Sequence, residues 1–169
     1  MSRRIDFEIM WNRLIAVVEE QATTLIRTAF STSVREAGDL SAGLFDRRGR
    51  MMAQAVTGTP GHVNAMAESV PHFLREIGAA NIHDGDVYLT NDPWLGTGHL
   101  HDFTVVTPCF RDGAHIGFFA CTAHVVDIGG PRVRPRAHEV LEAGAPVPTT
   151  NFSEPRRVAP RLIQAIRPQ

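Results

Sequence analysis

Two His-x-x-Asp segments stand on either side of an apolar stretch in the second half of the chain. The first runs from His99 to Asp102 and the second from His124 to Asp127. Two imidazoles with two carboxylates form a donor set that suits a borderline divalent ion such as Mn²⁺, Fe²⁺ or Zn²⁺. These four residues are therefore candidate metal ligands. A polar hairpin edge with solvated His and Asp side chains is the alternative interpretation of the same spacing.

The apolar stretch between the two segments predicts a hairpin that would bring them face to face. Its turn falls within Arg111–His115, where Asp and Gly interrupt strands rich in Val, Thr and Phe. With a three-residue loop, Asp102 lies opposite His124, and Cβ atoms in such a pair are about 5 Å apart. The same register places His99 opposite Asp127. A two-residue loop would shift the register by one residue and weaken this arrangement.

A bend is also required before the first strand of this hairpin. His99 and Asp102 cannot both point the same way on a regular strand, because successive side chains alternate between its two faces. Gly96 and Gly98 lie directly upstream, and glycine adopts bent backbone conformations readily. We therefore expect the chain to turn between these glycines and the strand.

Three further residues are placed where acid–base chemistry is plausible. His62 lies at the start of a predicted helix, where an imidazole beside the positive helix end can act as an acid or base; a surface or capping role is the alternative. Asp92 lies in Asn91–Pro93, a tripeptide typical of turns, with a catalytic or metal role as the other interpretation. Asp39 belongs to a polar cluster at 35–41 that either binds an anionic substrate group or ties this loop to the next hairpin.

The hydrophobic pattern predicts an α+β fold in which two amphipathic helices pack on antiparallel hairpins. Residues 129–169 are predicted to be largely irregular because Pro and Gly are frequent there. The predicted elements in chain order are a helix over 6–30, a polar loop over 31–41, a hairpin over 42–55, a helix that begins at Thr59–Pro60 and ends near Gly78, a strand over 86–90, strands over 103–110 and 116–126, and a short helix over 156–166.

Composition narrows the class of protein. The 169 residues suit one domain, and a net charge of −1 argues against a nucleic-acid or membrane-surface binder. All 17 basic residues are arginine, so no lysine is present for a Schiff base or a phosphate-binding loop. Two cysteines are too few for a disulfide framework, and no stretch has the length of a membrane-spanning helix or the pattern of a secretory signal. We therefore expect a cytoplasmic protein.

A series of short motifs runs in order along residues 7–150. The motifs are Arg27-Thr28-Ala29-Phe30-Ser31, Arg35-Glu36-x-x-Asp39-x-Ser41, Leu44-Phe45-Asp46-x-x-Gly49-Arg50, Pro60-x-His62, Asn91-Asp92-Pro93, Gly98-His99-Leu100-x-Asp102 and His124-x-x-Asp127-Ile128-Gly129-Gly130. Together they resemble the N-terminal part of the hydantoinase B/oxoprolinase family, which includes the large subunits of acetone and acetophenone carboxylases. The chain departs from that pattern in the segment Gly96–Asp102, where many members read Gly-Gly-Thr-His-Leu-Pro-Asp and this chain has His101 in place of the Pro.

The resemblance implies an ATP-dependent assembly. In such systems a hydantoinase A-like subunit with a kinase-like fold handles ATP and Mg²⁺ and phosphorylates a carbonyl or amide oxygen. The B-type subunit then completes ring opening of a cyclic amide, such as a hydantoin or 5-oxoproline, or carboxylation of a ketone. The resemblance also implies a divalent metal (Mn, Zn or Fe) at the paired His-x-x-Asp segments. We assign catalytic roles to His62, Asp92 and Asp39.

Family members are several times longer than this chain. Residues 1–169 are therefore expected to form a single partial domain, the N-terminal portion of a larger subunit that works in a hetero-oligomer. The principal hypothesis is a metal-assisted cyclic amide hydrolase, and a ketone carboxylase is the first alternative. An inactive assembly module that only binds the kinase-like partner is the second alternative.

Overall fold

A computed structural model describes residues 2–128 and 144–153 of the chain. It confirms the predicted α+β class, with helices packed on one antiparallel sheet. The elements in chain order are α1 (Ser2–Thr28), α2 (Thr32–Ala37), β1 (Leu40–Asp46), β2 (Met51–Gln54), α3 (Pro60–Ile77), a 3₁₀ helix (Ala79–Asn81), β3 (Tyr88–Thr90), β4 (Asp102–Arg111), β5 (Ala114–His124) and β6 (Thr150–Asn151).

The sheet has the strand order β2-β1-β5-β4-β3-β6, and all of its neighbouring strands are antiparallel. The two predicted hairpins, β1–β2 and β4–β5, join through the pairing of β1 with β5, in which Leu40 lies opposite Ala123. The beginnings of β1 and β4 therefore flank the end of β5. This arrangement brings three distant parts of the chain to one edge of the sheet.

The β4–β5 hairpin has the predicted register but reaches it by a different turn. Asp102 pairs with His124, as expected for a three-residue loop. The strands are instead joined by the two residues Asp112 (φ 51°) and Gly113 (φ 76°), whose positive φ angles are typical of a type I′ turn. A β-bulge after Cys109 then shifts the register by one residue. The bulge offsets the shift that the shorter turn imposes.

Side chains of the central strands alternate between two apolar clusters, one on each face of the sheet. The cluster on the α1 and α2 side contains Val18, Ala22, Val34, Leu40, Ala42, Leu44, Ala53 and Ala55. The cluster on the α3 side contains Phe45, Met66, Val70, Phe73, Ile82, Tyr88, Val106, Phe118 and Ala120. The candidate site lies on the α3 side, since His62 belongs to α3.

The predicted loop over 31–41 is wrong, because most of it is helical or strand. Helix α2 follows Ser31, whose carbonyl accepts a hydrogen bond from Arg35, and it ends at Gly38 in the left-handed conformation. Val34 is buried and supplies the apolar contact that holds this short helix. The residues on both sides of Val34 are polar, so the sequence pattern does not indicate that Val34 is buried.

The first half of α1 leaves large apolar side chains exposed. They are Ile5, Phe7, Ile9, Met10 and Trp11, each at least 42% exposed. The rings of Phe7 and Trp11 stack with centroids 6.1 Å apart. Among residues 2–128 and 144–153, no helix has both the length and the apolar character needed to cross a lipid bilayer.

The segment 144–153 is fastened to β3 by the buried carboxylate of Asp86. This carboxylate accepts hydrogen bonds from the Tyr88 hydroxyl at 2.6 Å, from the Asn151 amide at 2.9 Å and from the Ser153 hydroxyl at 3.2 Å. Burial alone would raise the pKa of Asp86, but these bonds and one from the His83 backbone hold it at about 2. The predicted short helix over 156–166 and the stretch 129–143 lie outside the described residues.

Candidate metal centre

Titratable side chains from four elements meet at the edge where β1 and β4 begin and β5 ends. Asp39 directly precedes β1, Asp102 is the first residue of β4 and His124 is the last residue of β5. The amide of His124 donates to the carbonyl of Asp39 at 3.2 Å, which continues the β1–β5 pairing by one step. His62 joins them from the first turn of α3.

Asp102 is the centre of this cluster and is only 1% exposed. Its Oδ1 lies 2.9 Å from Nδ1 of His124, and its Oδ2 lies 3.0 Å from Nε2 of His62 and 3.2 Å from Nε2 of His99. The hydroxyl of Thr97 also donates to Oδ2. Burial alone would raise the pKa of Asp102, but hydrogen bonds from two imidazoles and the Thr97 hydroxyl hold that pKa well below its usual range. The carboxylate is therefore ionised.

Asp39 faces the same cluster from the opposite side of His124. Its Oδ1 accepts a hydrogen bond from the Thr59 hydroxyl at 2.7 Å and lies 3.6 Å from Nε2 of His62. Its Oδ2 lies 3.7 Å from Nδ1 of His124. Thr59 is the N-cap residue of α3 as predicted, but its hydroxyl donates to Asp39 and makes no capping hydrogen bond to the helix.

His99 reaches the cluster because the chain turns before β4, as the upstream glycines predicted. Gly98 has a φ of 100°, and the amide of Asp102 bonds back to the carbonyl of His99 at 3.4 Å. One ligand atom each from His99, Asp102 and His124 lies within 4.8 Å of the other two. Two ligand atoms that are each about 2.1 Å from one ion are about 3.0–3.4 Å apart. The 2.9 Å from Nδ1 of His124 to Oδ1 of Asp102 and the 3.2 Å from Nε2 of His99 to Oδ2 of Asp102 are close to this range, each for a different oxygen of the carboxylate.

The structure does not bring the fourth predicted ligand, Asp127, into this group of three. The β5 strand ends at His124, so the expected pairing of Asp127 with His99 is not formed. Asp127 is exposed after the strand end and acts on His101 through its charge. A second carboxylate near His124 comes instead from Asp39, which was expected to be catalytic.

His62 has neither a surface position nor a capping role. It is 5% exposed; its Nε2 donates to Oδ2 of Asp102 at 3.0 Å and lies 3.6 Å from Oδ1 of Asp39, while its Nδ1 has no hydrogen-bond partner among the described residues. Burial alone would lower the pKa of His62, but the hydrogen bond to Asp102 and the charges of both carboxylates raise it. The imidazole thus links the two acidic residues of the site.

His101 lies at the edge of the cluster and packs on one of its members. Its ring is nearly parallel to that of His124, at 12°, with centroids 5.4 Å apart. Burial, followed by the nearby imidazoles of His124 and His99, lowers the pKa of His101. It is not part of the group of three whose ligand atoms converge among the described residues.

The Asn91–Pro93 turn contributes differently from the sequence prediction. Oδ1 of Asp92 accepts the amide of Trp94 at 2.8 Å, so this side chain shapes the turn. Asn91 is 1% exposed and donates to the carbonyls of Leu100 at 2.9 Å and Ala145 at 3.0 Å. It thereby fixes the loop that carries His99. Sequence reasoning missed Asn91, because the tripeptide indicates a turn without showing which side chain is buried.

Known proteins resemble this chain in sequence and in fold. The model of the hydantoinase B/oxoprolinase family matches residues 3–169. A 5-oxoprolinase of Arabidopsis thaliana is 34% identical over 146 residues, which cover 85% of this chain and 11% of that protein. The acetone carboxylase alpha subunit of Xanthobacter autotrophicus is 30% identical over 122 residues, which cover 71% of this chain and 16% of that subunit. The chain thus spans about a tenth of the length of the curated 5-oxoprolinases it matches.

A solved structure shares the fold. The ATP-dependent caprolactamase from Pseudomonas jessenii superposes with a TM-score of 0.79 over 95% of this chain and 29% of that chain, at 24% identity. The family match covers nearly the whole sequence, and the 5-oxoprolinase similarity covers most of it. The chain belongs to the hydantoinase B/oxoprolinase family.

Proposed function

We propose that this chain carries a divalent metal centre for the ATP-dependent hydrolysis of a cyclic amide, of the hydantoin or 5-oxoproline type. His99, Asp102 and His124 are the proposed ligands, and Asp39 joins them through the oxygen that faces His124. The observation that carries the proposal is the convergence of ligand atoms from His99, Asp102 and His124. Asp39 lies outside this group of three and is added because its Oδ2 lies 3.7 Å from Nδ1 of His124. Imidazole and carboxylate together suit Zn²⁺, Mn²⁺ or Fe²⁺.

The donor set fits such an ion in charge as well as in geometry. Two carboxylates balance the two positive charges of the ion, and the buried position of Asp102 strengthens the attraction. An ion bound here would polarise a substrate carbonyl or lower the pKa of a water. The surrounding residues hold the carboxylates in place: Thr97 bonds to Asp102, and Thr59 bonds to Asp39.

Nucleotide chemistry is assigned to a partner subunit. The chain has no lysine, so it lacks the residue with which a phosphate-binding loop holds ATP. We propose that a hydantoinase A-like subunit with a kinase-like fold binds ATP and Mg²⁺ and that the two chains form a hetero-oligomer. The ATP-dependent caprolactamase and the 5-oxoprolinase relatives, both named for cyclic amides, support a cyclic amide as the substrate.

Ketone carboxylation is the second candidate function, because the acetone carboxylase alpha subunit is also a relative. The metal would polarise the carbonyl of the ketone in the same way that it would polarise the amide carbonyl.

A cytoplasmic location stays a prediction. Cys109 and Cys121 are both free thiols, which is usual in a reducing compartment.

Two measurements test the proposal. Elemental analysis of the purified chain should find stoichiometric divalent metal, and metal-free folded protein would contradict the centre. The chain should then be combined with its kinase-like partner and ATP, and phosphate release compared for 5-oxoproline, a hydantoin, and acetone with bicarbonate. Release that depends on a cyclic amide supports hydrolysis, whereas release that depends on the ketone supports carboxylation. ATP-dependent turnover by this chain without the partner would contradict the division of labour.

A further inference from the structure

We infer that Thr97, Thr59 and His62 determine which oxygen of each carboxylate is offered to the metal, so that Asp102 and Asp39 each bind through one oxygen. This inference rests on the metal centre proposed above. All three residues donate hydrogen bonds to the carboxylates and therefore have positioning roles.

The two oxygens of Asp102 differ in their hydrogen-bond donors. Its Oδ2 accepts the Thr97 hydroxyl and lies 3.0 Å from Nε2 of His62. Its Oδ1 lies 2.9 Å from Nδ1 of His124. Oδ2 is also 3.2 Å from Nε2 of His99, so distance alone permits either oxygen as the ligand. The two donors decide between them, because an oxygen that already accepts two hydrogen bonds has less electron density left for an ion.

The same division occurs at Asp39. Its Oδ1 accepts a hydrogen bond from the Thr59 hydroxyl at 2.7 Å and lies 3.6 Å from Nε2 of His62. Its Oδ2 lies 3.7 Å from Nδ1 of His124. Oδ2 of Asp102 thus accepts two hydrogen bonds and Oδ1 of Asp39 accepts one, whereas the other oxygen of each carboxylate faces Nδ1 of His124. Oδ1 of Asp102, Oδ2 of Asp39 and Nδ1 of His124 are therefore the atoms that these three residues would offer to the proposed ion.

His62 makes the two halves of the arrangement depend on each other. Its Nε2 lies between Oδ2 of Asp102 and Oδ1 of Asp39. It is buried in α3, so the helix position fixes where both carboxylates stand. Residues that orient ligands in this way commonly affect metal affinity by about 10–100-fold.

Selectivity among metals follows from single-oxygen coordination. Ca²⁺ requires six to eight oxygen ligands and often takes a carboxylate through both oxygens. A site with two imidazole nitrogens and one oxygen from each of two carboxylates instead suits Zn²⁺ and its neighbours. The hydroxyl donors therefore disfavour Ca²⁺ by keeping the second oxygen of each carboxylate occupied.

The test compares the wild-type chain with Thr97→Val, Thr97→Ser and Thr59→Val. Zn²⁺ affinity is measured by competition with a chromophoric chelator, and coordination is followed in the visible absorption of bound Co²⁺. We expect Thr97→Val and Thr59→Val to weaken Zn²⁺ binding by about 10–100-fold and to shift the Co²⁺ bands. Thr97→Ser, which keeps a hydroxyl, should restore both properties to near the wild-type values.

Thr104→Val is the matched control. Thr104 bonds the hydroxyl of Thr122 at 3.0 Å inside the same sheet, so its removal costs a buried hydroxyl without touching a carboxylate. It should keep wild-type Zn²⁺ affinity and the wild-type Co²⁺ spectrum. Circular dichroism and thermal melting check folding, and Thr97→Ala replaces Thr97→Val if the larger side chain prevents folding.

The outcomes separate the two proposals. A wild-type chain that binds no Zn²⁺ would overturn the metal centre itself. A wild-type chain that binds Zn²⁺, with Thr97→Val or Thr97→Ala equal to it in affinity and spectrum, would overturn the positioning role and leave the centre standing. Loss of binding in Thr97→Ser as well would show that the hydroxyl is not the operative group, and this also overturns the inference.

Discussion

Asp102 and His124 face each other at the open end of the β4–β5 hairpin, with Oδ1 of the carboxylate 2.9 Å from Nδ1 of the imidazole. They are the two members of the candidate site that the sequence alone places opposite each other. Their pairing depends on the β-bulge after Cys109, further along the same two strands. His62 and Asp39 contact this pair, His62 through Asp102 and Asp39 through His124.

The first prediction separates Asp102 from Asp127. Asp102→Asn should remove most of the bound Zn²⁺, because it replaces a buried negative ligand by a neutral amide. Asp127→Asn is the matched control and should retain stoichiometric Zn²⁺, because Asp127 lies outside the group of converging ligand atoms in the described residues. Elemental analysis of both purified variants decides the matter. Equal metal loss in both would show that Asp127 is a ligand after all.

The second prediction concerns the buried amide of Asn91. Asn91→Ala should lower the free energy of unfolding by about 3 kcal/mol or more, because each buried polar group left without a partner costs roughly 1–3 kcal/mol. The groups left behind are the carbonyls of Leu100 and Ala145 and the amide of Val147. Urea denaturation followed by circular dichroism measures the loss.

Asp92→Asn provides the comparison for the same turn. Asparagine keeps the side-chain oxygen that accepts the Trp94 amide, so stability should change little. Metal content should also stay at the wild-type level. A loss at Asp92 as large as that at Asn91 would contradict the assignment of the buried, structural role to Asn91.

The third prediction concerns acid stability through Asp86. Its folded-state pKa of about 2 lies below the ordinary value of 3.8, so the ionised carboxylate contributes fully above about pH 4 and its contribution is lost as the pH falls toward 2. Asp86→Asn should therefore be less stable than the wild type at pH 6, by about 2 kcal/mol. The difference should shrink as the pH falls from 4 toward 2.

Denaturant titrations at several pH values measure this difference. Asp84→Asn is the control, because Asp84 is an exposed carboxylate two positions away. It should follow the wild-type profile throughout. A gap between Asp86→Asn and the wild type that stays constant from pH 6 to pH 3 would rule out the titration of Asp86 as its cause.

The fourth prediction concerns the exposed first half of α1. Monomeric proteins rarely leave large contiguous apolar patches uncovered, so this chain should bind a hydrophobic dye or self-associate. The double variant Phe7→Ser with Trp11→Ser removes a stacked pair and should reduce dye fluorescence. Val56→Ser, at an isolated exposed residue, should not. Unchanged fluorescence in the double variant would place the dye elsewhere.

Local patterns predicted the two strands of the β4–β5 hairpin and the turn before β4 that carries His99. The pairing of Asp102 with His124 was predicted from a three-residue loop; the loop has two residues, and a bulge that the sequence did not predict restores the pairing. Asp127 was misplaced because nothing in its neighbourhood shows that β5 ends at His124. Residues that reach the site through long-range pairing, such as Asp39 from the start of β1, carry no local signal of their destination.

The helix and turn donors were missed for a related reason. Thr59 was correctly placed at the start of α3, yet the use of its hydroxyl depends on where β1 begins. Thr97 lies in a glycine-rich loop whose sequence indicates flexibility of the backbone and says nothing of the side-chain partner. Such contacts are set by tertiary packing, which a periodicity of two or 3.6 residues does not encode.

The bulge after Cys109 has a consequence for comparing this hairpin with its relatives. A chain with one more residue in the turn and no bulge would present the same Asp and His to each other, because the two changes cancel. Insertion in the turn and deletion at the bulge therefore form a compensating pair. An alignment that opens a gap at the turn alone would displace the part of β5 beyond the bulge, Gly117 to His124, by one position and assign its core residues to the wrong face of the sheet.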